Sequence, residues 1–259
     1  MNNYLNTINN MINKTIVKKT PSILIYTVAF GDCYIKMAEL LYWSIRKTNN
    51  FDFVVITNKD ITIGNSIILK CDLKPNFAKS YIYNLLDIYK YDYILYVDSD
   101  IIATKKFNLI FNETNESGIT ICGQSKTIGD IELIKGSRWW KGSNIQMSKE
   151  SIKLFHNNKS INAGTILLHK SNYYIFKMWH IENSRSIGSD QSSLTSVIFN
   201  KDNKINYKYF NKNTISGSSG ILQCNEVSDI TSLHHFLIPT KRKIKSMNNM
   251  IIKLFLNSN

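Results

Sequence analysis

The chain has 259 residues, 43% of them hydrophobic, which is enough for one large globular domain with a substantial core. Its 32 Lys and Arg residues against 19 Asp and Glu residues give a formal net charge of +13, so we expect an anionic substrate or partner. Four scattered cysteines without CxxC spacing, and the lack of any stretch near the roughly 18 apolar residues that span a bilayer, argue against a disulfide-stapled or membrane-spanning protein.

The two ends of the chain differ from its middle. Residues 1–20 alternate apolar residues with Asn and Lys, and they lack the continuous apolar segment of a signal peptide. We expect an N-terminal extension over residues 1–20, one domain over residues 21–245 and an amphipathic tail over residues 246–259, in a soluble cytoplasmic protein.

The first part of the domain predicts a βαβ unit. Residues 22–30 form a short apolar run that ends at a Gly-Asp turn, as in a buried strand. Apolar residues then recur at helical spacing over residues 34–48, and residues 51–57 and 65–70 predict two more strands. This order indicates an α/β fold with a mostly parallel sheet.

A second helical pattern over residues 78–89 leads into the most apolar strand, residues 93–97, and the acidic pair Asp98 and Asp100 follows that strand directly. In an open parallel sheet, ligands bind outside the carboxyl ends of the strands. Two carboxylates one residue apart can both reach one hard cation, such as Mg²⁺ or Mn²⁺. Asp is also common in turns and caps, so the pair alone leaves a structural role open.

Several other short motifs carry polar side chains where apolar segments begin or end. They are VAFGDC before Tyr34, NFAKSYIYNLL with Lys79, INAGTILLHKS with Asn162 and Gly164, GSDQSSL with Asp190 and Gln191, and LHHFLIPTK with His235 and Lys241. In order and spacing, these motifs and the acidic pair resemble the glycosyltransferases of the GT-A fold, most closely glycogenin and its relatives in glycosyltransferase family 8. The resemblance covers residues 23–241.

The resemblance implies a mostly parallel mixed sheet with helices on both sides and a metal-dependent sugar transfer. The donor would be a UDP-sugar, and the acceptor a hydroxyl group of a glycan, a protein or another molecule. Mn²⁺ or Mg²⁺ would neutralise the diphosphate leaving group, and a hexose would be transferred with retention at the anomeric carbon.

The resemblance also assigns roles to residues at the nucleotide and metal. Tyr34 would stack on the uracil base, and Lys79 would lie close to the phosphates. Asp98, Asp100 and His235 would hold the cation. Lys241 falls at the place of a lysine that contacts the diphosphate, but the sequence departs from the family directly after it, so Arg242 or Lys243 could take that role.

At the donor sugar, the resemblance assigns Asn162 and Asp190 to the sugar and its hydroxyls, and Gln191 to the neighbourhood of the anomeric carbon. Gly164, in a turn that feeds a strand, would let the backbone approach the sugar closely. Structural alternatives stay open, because Asp190 could simply cap a helix. Likewise, Tyr34 could be a packing residue and Lys79 a solvated one. An Asp that glycogenin carries is replaced here by Ile187, and its priming-tyrosine loop has no counterpart.

Two segments outside these motifs suggest surface roles. Trp139 and Trp140 lie in a polar stretch, where they could stack on acceptor sugars or anchor a lid. The amphipathic tail could contact an anionic membrane peripherally or pack on the sheet, and we favour packing.

Two other functions fit parts of the sequence. A phosphatase of the haloacid dehalogenase type also places an Asp pair after an apolar strand, but near the start of the chain and with a later acidic pair. A basic nucleic-acid-binding module would explain the net charge, but it would leave the acidic pair and His235 without a role. Nucleic acid is therefore not the expected partner, and the sequence does not indicate an oligomeric state.

Overall fold

The computed structural model describes residues 21–105, 111, 118–127, 157–185, 190–211, 215–219, 233–237 and 240–256. The strands are β1 (Ile23–Val28), β2 (Asp52–Thr57), β3 (Ile67–Lys70), β4 (Tyr93–Val97), β5 (Ile101–Ala103), β6 (Gly118–Thr127), β7 (Lys159–His169), β8 (Asn206–Tyr209), β9 (Ile215–Ser219) and β10 (Leu233–Leu237). The helices are α1 (Asp32–Thr48), α2 (Pro75–Ala78), α3 (Ile82–Leu85), α4 (Tyr174–Arg185), α5 (Asp190–Phe199) and α6 (Thr240–Leu256).

The main sheet of the described residues has seven strands in the order β3-β2-β1-β4-β7-β6-β8. Four of the pairings are parallel, and β7 runs antiparallel to both of its neighbours, β4 and β6. Because β1 and β2 pair in parallel with α1 between them in the chain, the expected βαβ unit is confirmed. The expected α/β fold with a mostly parallel mixed sheet is confirmed as well.

Both faces of the sheet are covered by helices. Leu24 and Tyr26 of β1 point into one apolar cluster, which they share with residues of α4 and α5 such as Trp179. Ile25, between them, points into a second cluster that contains residues of α1 such as Leu41. Successive strand residues face opposite sides of a sheet, so a strand buried on both sides reads as a continuous apolar run.

A smaller sheet contains β5, the strand that follows β4 in the chain. Strand β10 lies between β5, to which it runs antiparallel, and β9, to which it runs parallel. Helix α6 then packs on α1, with Met247 and Met250 buried in a cluster that also contains Met37 and Phe236. The boundary expected between residues 245 and 246 falls within this helix.

The packing expected for the amphipathic tail agrees with the buried methionines of α6. The opposite side of the helix leaves Ile252 and Leu256 exposed, and contact with an anionic membrane stays a prediction. None of the helices in the described part of the chain is long and apolar enough to cross a membrane. Residues 1–20, Trp139 and Trp140 lie outside the described residues, so the expectations for them stay predictions.

The single helix expected over residues 78–89 is wrong. The chain instead forms the short helices α2 and α3 and a 3₁₀ turn at Ile88–Lys90. The carbonyl of Lys79 accepts a hydrogen bond from the Tyr26 hydroxyl at 2.7 Å, so a contact with the sheet takes an acceptor that a longer helix would use. Leu86 is extended, and the Asp87 side chain accepts from the Tyr89 amide, which starts the 3₁₀ turn.

Candidate functional site

The acidic pair lies in a tight turn at the carboxyl end of β4. The Asp98 amide donates to the carbonyl of Gly164 at 2.8 Å, and the Ile101 amide donates back to the Asp98 carbonyl at 3.2 Å. The turn brings Asp98 and Asp100 to the same end of the strand, and the Asp100 side chain is only 12% exposed. A carboxylate is rarely this buried unless it is paired or binds a metal.

His235 lies in β10, opposite Ile101 in the antiparallel pairing with β5. Its Nε2 atom is 3.1 Å from Oδ1 of Asp100. One candidate ligand atom from each of Asp98, Asp100 and His235 lies within 4.8 Å of the others. The structure therefore brings together the three residues that the sequence predicted as metal ligands. His235 is inside β10 rather than at its end.

Lys243 extends from the first turns of α6, and its ammonium group donates to Oδ2 of Asp100. Burial acts to raise the pKa of Asp100, but the hydrogen bond and charge of His235 and the charge of Lys243 outweigh burial and lower that pKa to about 2. Lys241 belongs to the same helix, but its side chain lies outside the described residues. Of the two substitutes that the sequence suggested for it, Lys243 reaches the site and Arg242 is exposed.

Lys79 joins the acidic pair to a third carboxylate. Its Nζ atom lies 2.9 Å from Oδ1 of Asp98 and 2.8 Å from Oδ2 of Asp190, and its side chain is 16% exposed. Burial acts to lower the pKa of the Lys79 ammonium, but the charges of both carboxylates raise it above its ordinary value. Lys79 is therefore a buried, charged bridge rather than a solvated helix residue.

Tyr96 is a part of the site that the sequence analysis missed. Its hydroxyl donates to Oδ1 of Asp98 at 2.5 Å, and the Lys79 ammonium lies 5.2 Å from the centre of its ring. The signal was present in the sequence, because residues two apart on a strand share one face of the sheet. Tyr96 was interpreted only as part of the apolar strand.

Asn162 and Gly164 lie inside β7, so the expected turn before a strand is wrong. The pairing of β6 with β7 shifts there, since Ile121 lies opposite Ile166 while the next residue, Cys122, lies opposite Asn162. The extra residues of β7 bulge at the acidic pair. Within the bulge, the Gly164 amide donates to Oδ1 of Asn162 at 2.8 Å.

A side chain at Gly164 would meet the acidic cluster. A Cβ atom at this position would lie 2.6 Å from Oδ2 of Asp98, 2.7 Å from Oδ1 of Asn162 and 2.9 Å from Cε1 of His235. Glycine at this position therefore leaves room for the side chains of Asp98 and His235, and the close approach to a donor sugar expected of Gly164 stays a prediction.

Helix α5 begins at Asp190, as the sequence predicted. The Asp190 side chain is 12% exposed and its carboxylate pairs with Lys79. Trp179 holds the start of the helix, since its ring N–H donates to the Asp190 carbonyl at 2.9 Å. Gln191 follows in the first turn, and its buried side-chain amide nitrogen makes no hydrogen bond within the described part of the chain.

Part of this cluster opens into a cleft of about 360 Å³, which His235, Asp190 and Asn162 adjoin through their contacts with Asp100, Lys79 and Gly164 rather than line. Its walls are Val28, Phe30, Tyr34, Pro75, Asn76, Lys79, Tyr96, Asp98, Ser99, Asp100 and Lys243. Tyr34, in the first turn of α1, is 44% exposed, so its ring is open to a ligand. A larger hollow of about 540 Å³ is lined by Ile61, Thr62, Ile68 and the ion pair of Asp60 with Lys70. Both charged side chains of this pair are exposed to solvent, unlike the buried charges of the cleft.

The fold is similar to that of solved glycosyltransferase structures at low sequence identity. No protein-family profile matches the chain, and no curated protein matches it. Similar solved structures include the galactosyltransferase LgtC in complex with donor and acceptor sugar analogs, with a TM-score of 0.57 and 13% identity over 87% of this chain and 95% of that one.

The apo structure of the bifunctional glycosyltransferase WbbM has a TM-score of 0.60 and 12% identity, over 91% of this chain and 51% of that one. The apo form of the glycosyltransferase GlyE from Streptococcus pneumoniae TIGR4 has a TM-score of 0.52 and 14% identity, over 92% of this chain and 64% of that one. The chain therefore has the GT-A fold of these glycosyltransferases, and it spans about half of WbbM.

Proposed function

We propose that the chain is a metal-dependent glycosyltransferase that uses a nucleotide-sugar donor. The observation that carries the proposal is the convergence of Asp98, Asp100 and His235 at the carboxyl end of β4, where the two carboxylates line a cleft, within a GT-A fold. Fold alone does not define a reaction, but the chemistry of this cluster restricts what it can do.

The cluster fits a divalent cation. Two carboxylates and one imidazole offer oxygen and nitrogen atoms that suit Mn²⁺, and the two carboxylates also suit Mg²⁺. The space beside Gly164 supports this proposal, because a Cβ atom there would lie under 3.0 Å from atoms of both Asp98 and His235. In this site the cation would act as a Lewis acid that stabilises negative charge on a diphosphate leaving group.

The residues around the cluster suggest how a UDP-sugar would be held. The exposed ring of Tyr34 offers a flat surface to the uracil base. Lys243, already paired with Asp100, offers a positive charge to a diphosphate, and Lys241 stays a second candidate. Asp190 is paired with Lys79, and its carboxylate would accept hydrogen bonds from donor-sugar hydroxyls. Asn162 of β7 would contact the same sugar.

In transfer, the acceptor hydroxyl would attack the anomeric carbon, and the bond from that carbon to the diphosphate would break. Among the described residues of the cleft, neither carboxylate is free to act as a general base, since Asp98 is paired with Lys79 and Asp100 with Lys243. This agrees with attack from the leaving-group side, in which a phosphate oxygen takes the acceptor proton and the configuration is retained. The amide of Gln191 would lie near the anomeric carbon, and a hexose would pass to a glycan, a protein or another hydroxyl acceptor.

Thermal unfolding with nucleotides and cations tests the proposal. A ligand that binds only the folded state at 100 times its Kd stabilises that state by about 2.7 kcal/mol. We expect UDP and MnCl₂ together to raise the melting temperature by more than the sum of the increases that each produces alone, because the diphosphate adds ligands to the cation. GDP should stabilise the protein less, because the Tyr34 site is proposed to select uracil. Incubation with a panel of UDP-sugars, with mass detection of released UDP, then identifies the donor.

The outcomes separate the parts of the proposal. Equal stabilisation by all nucleoside diphosphates would remove the uridine assignment and leave a diphosphate site. No stabilisation by any nucleotide with Mn²⁺ would remove the donor site as a whole. Inorganic phosphate released from simple monoesters would instead support the phosphatase, and salt-sensitive binding of DNA or RNA would support a nucleic-acid-binding function.

A further inference from the structure

The two oxygens of the Asp98 carboxylate lie in different surroundings. Oδ1 accepts a hydrogen bond from the Tyr96 hydroxyl at 2.5 Å and lies 2.9 Å from Nζ of Lys79. Oδ2 faces Gly164, where a Cβ atom would lie 2.6 Å from it and 2.9 Å from Cε1 of His235. Tyr96 and Lys79 therefore engage Oδ1, whereas Oδ2 lies on the same side of the cluster as His235.

We infer that Tyr96 is a positioning residue that fixes which oxygen of Asp98 faces the cation. The inference rests on the proposed metal site and adds a selectivity to it. With Oδ1 engaged, Asp98 offers the cation a single oxygen. Mg²⁺ requires near-ideal six-coordinate geometry, whereas Ca²⁺ accepts six to eight ligands and often binds both oxygens of one carboxylate. A carboxylate restricted to one oxygen therefore disfavours Ca²⁺ relative to the smaller cations Mn²⁺ and Mg²⁺.

The surroundings of Tyr96 suit this role. The residue is fully buried, its ring centre lies 5.0 Å from that of Tyr26, and the Lys79 ammonium lies against its face. Hydrogen-bond partners that orient metal ligands typically contribute 10- to 100-fold to metal affinity.

The decisive variant is Tyr96→Phe, which removes the hydroxyl and keeps the ring contacts with Tyr26 and Lys79. Tyr91→Phe is a matched control, because Tyr91 is also buried and its hydroxyl donates to a carboxylate, Oδ2 of Asp52, at 2.9 Å. Tyr91 is not part of the cleft. Calorimetric titration of the full chain with MnCl₂ and with CaCl₂, without nucleotide and with excess UDP, measures both affinities, and melting temperatures report the cost of each lost hydroxyl.

We expect Tyr96→Phe to raise the Kd for Mn²⁺ at least about tenfold. The Kd for Ca²⁺ should change less, so the preference for Mn²⁺ over Ca²⁺ should fall. Tyr91→Phe should lower the melting temperature by a similar amount and keep the wild-type preference. An unchanged preference in Tyr96→Phe, or an equal change in both variants, overturns the role of Tyr96 and leaves the metal site intact. Wild-type protein that binds no Mn²⁺ under either condition overturns the metal site, and this inference with it.

Discussion

Replacement of Gly164 by alanine tests the geometry of the site with one added methyl group. The new Cβ atom would lie 2.6 Å from Oδ2 of Asp98 and 2.9 Å from Cε1 of His235. Asp98 cannot turn away freely, because its other oxygen is bound to Tyr96 and Lys79. Oδ1 of Asn162, at 2.7 Å from the new atom, is held by the Gly164 amide itself.

The required displacement sets the size of the effect. Moving Oδ2 of Asp98 from 2.6 Å to 3.4 Å, where ordinary contact begins, takes about 0.8 Å. A misplacement of about 1 Å at a reacting centre can cost about 100-fold in rate, so we expect that loss in donor hydrolysis and in transfer. Overpacking in a well-packed region costs about 1–3 kcal/mol, so the variant should stay folded.

Gly123→Ala supplies the control, because a Cβ atom there would lie 2.7 Å from the ring of Tyr209 in the same sheet. Both variants should lower the unfolding free energy in a urea titration by similar amounts. Only Gly164→Ala should lose Mn²⁺ affinity in calorimetry and UDP release from the donor. Wild-type metal affinity and turnover in folded Gly164→Ala would falsify the reasoning, because the cation could not then lie beside this residue.

Three further predictions concern single carboxylates. Asp100→Asn removes an anionic ligand and leaves the Lys243 ammonium, which is 15% exposed, without its carboxylate. We expect sugar transfer to be lost and the unfolding free energy to fall by about 1–3 kcal/mol; a urea titration and a transfer assay check this, and full activity would remove the metal site. If Asp190 only capped helix α5, Asp190→Asn would be nearly neutral, since Asn caps about as well as Asp. As a partner of donor-sugar hydroxyls, Asp190 should be needed for transfer, so the variant should slow transfer about tenfold or more with UDP affinity retained. Normal transfer kinetics would reduce Asp190 to a structural residue. Asp92, far from the cleft, has its pKa lowered from 3.8 to about 2 by hydrogen bonds from Lys170 and a backbone amide. A carboxyl group whose pKa is lowered on folding stabilises the folded state at pH values above its unfolded-state pKa. Asp92→Asn should therefore lower the unfolding free energy by about 1–2 kcal/mol at pH 7, and this difference from the wild type should disappear as the pH falls from about 4 to about 2. Urea titrations at several pH values measure it, and a pH-independent difference would contradict the ion pair.

Local patterns in the sequence were sufficient for elements whose partners lie nearby in the chain. Helix α1 follows its apolar spacing closely, and β1 and β4 are buried on both faces, as their continuous apolar runs predict. The pattern over residues 78–89 failed because the hydroxyl of Tyr26, more than 50 residues earlier, binds the Lys79 carbonyl. Periodicity within a segment carries no signal for such a contact.

The site shows the same limit. Asp98 and Asp100 were identified from their position after the most apolar strand, His235 was assigned through the resemblance, and the structure brings the three together. The bulge of β7 at Gly164 could not be predicted, because it depends on the register of two strands. Nor does the sequence around Lys243 indicate which of the basic residues of α6 faces the acidic pair, since that depends on how α6 packs on α1.

The ion pair of Lys243 with Asp100 has a consequence for the growing chain, because the two residues are 143 positions apart. During synthesis, the acidic pair is complete long before β10 and α6 exist. Lys79 can pair with Asp98 at that stage, but Asp100 gains His235 only when β10 pairs with β5, and Lys243 only when α6 folds onto α1. Mn²⁺ affinity would therefore report the arrival of these C-terminal elements, and a chain cut before residue 233 should bind the cation weakly even where the sheet around β1 and β4 has formed.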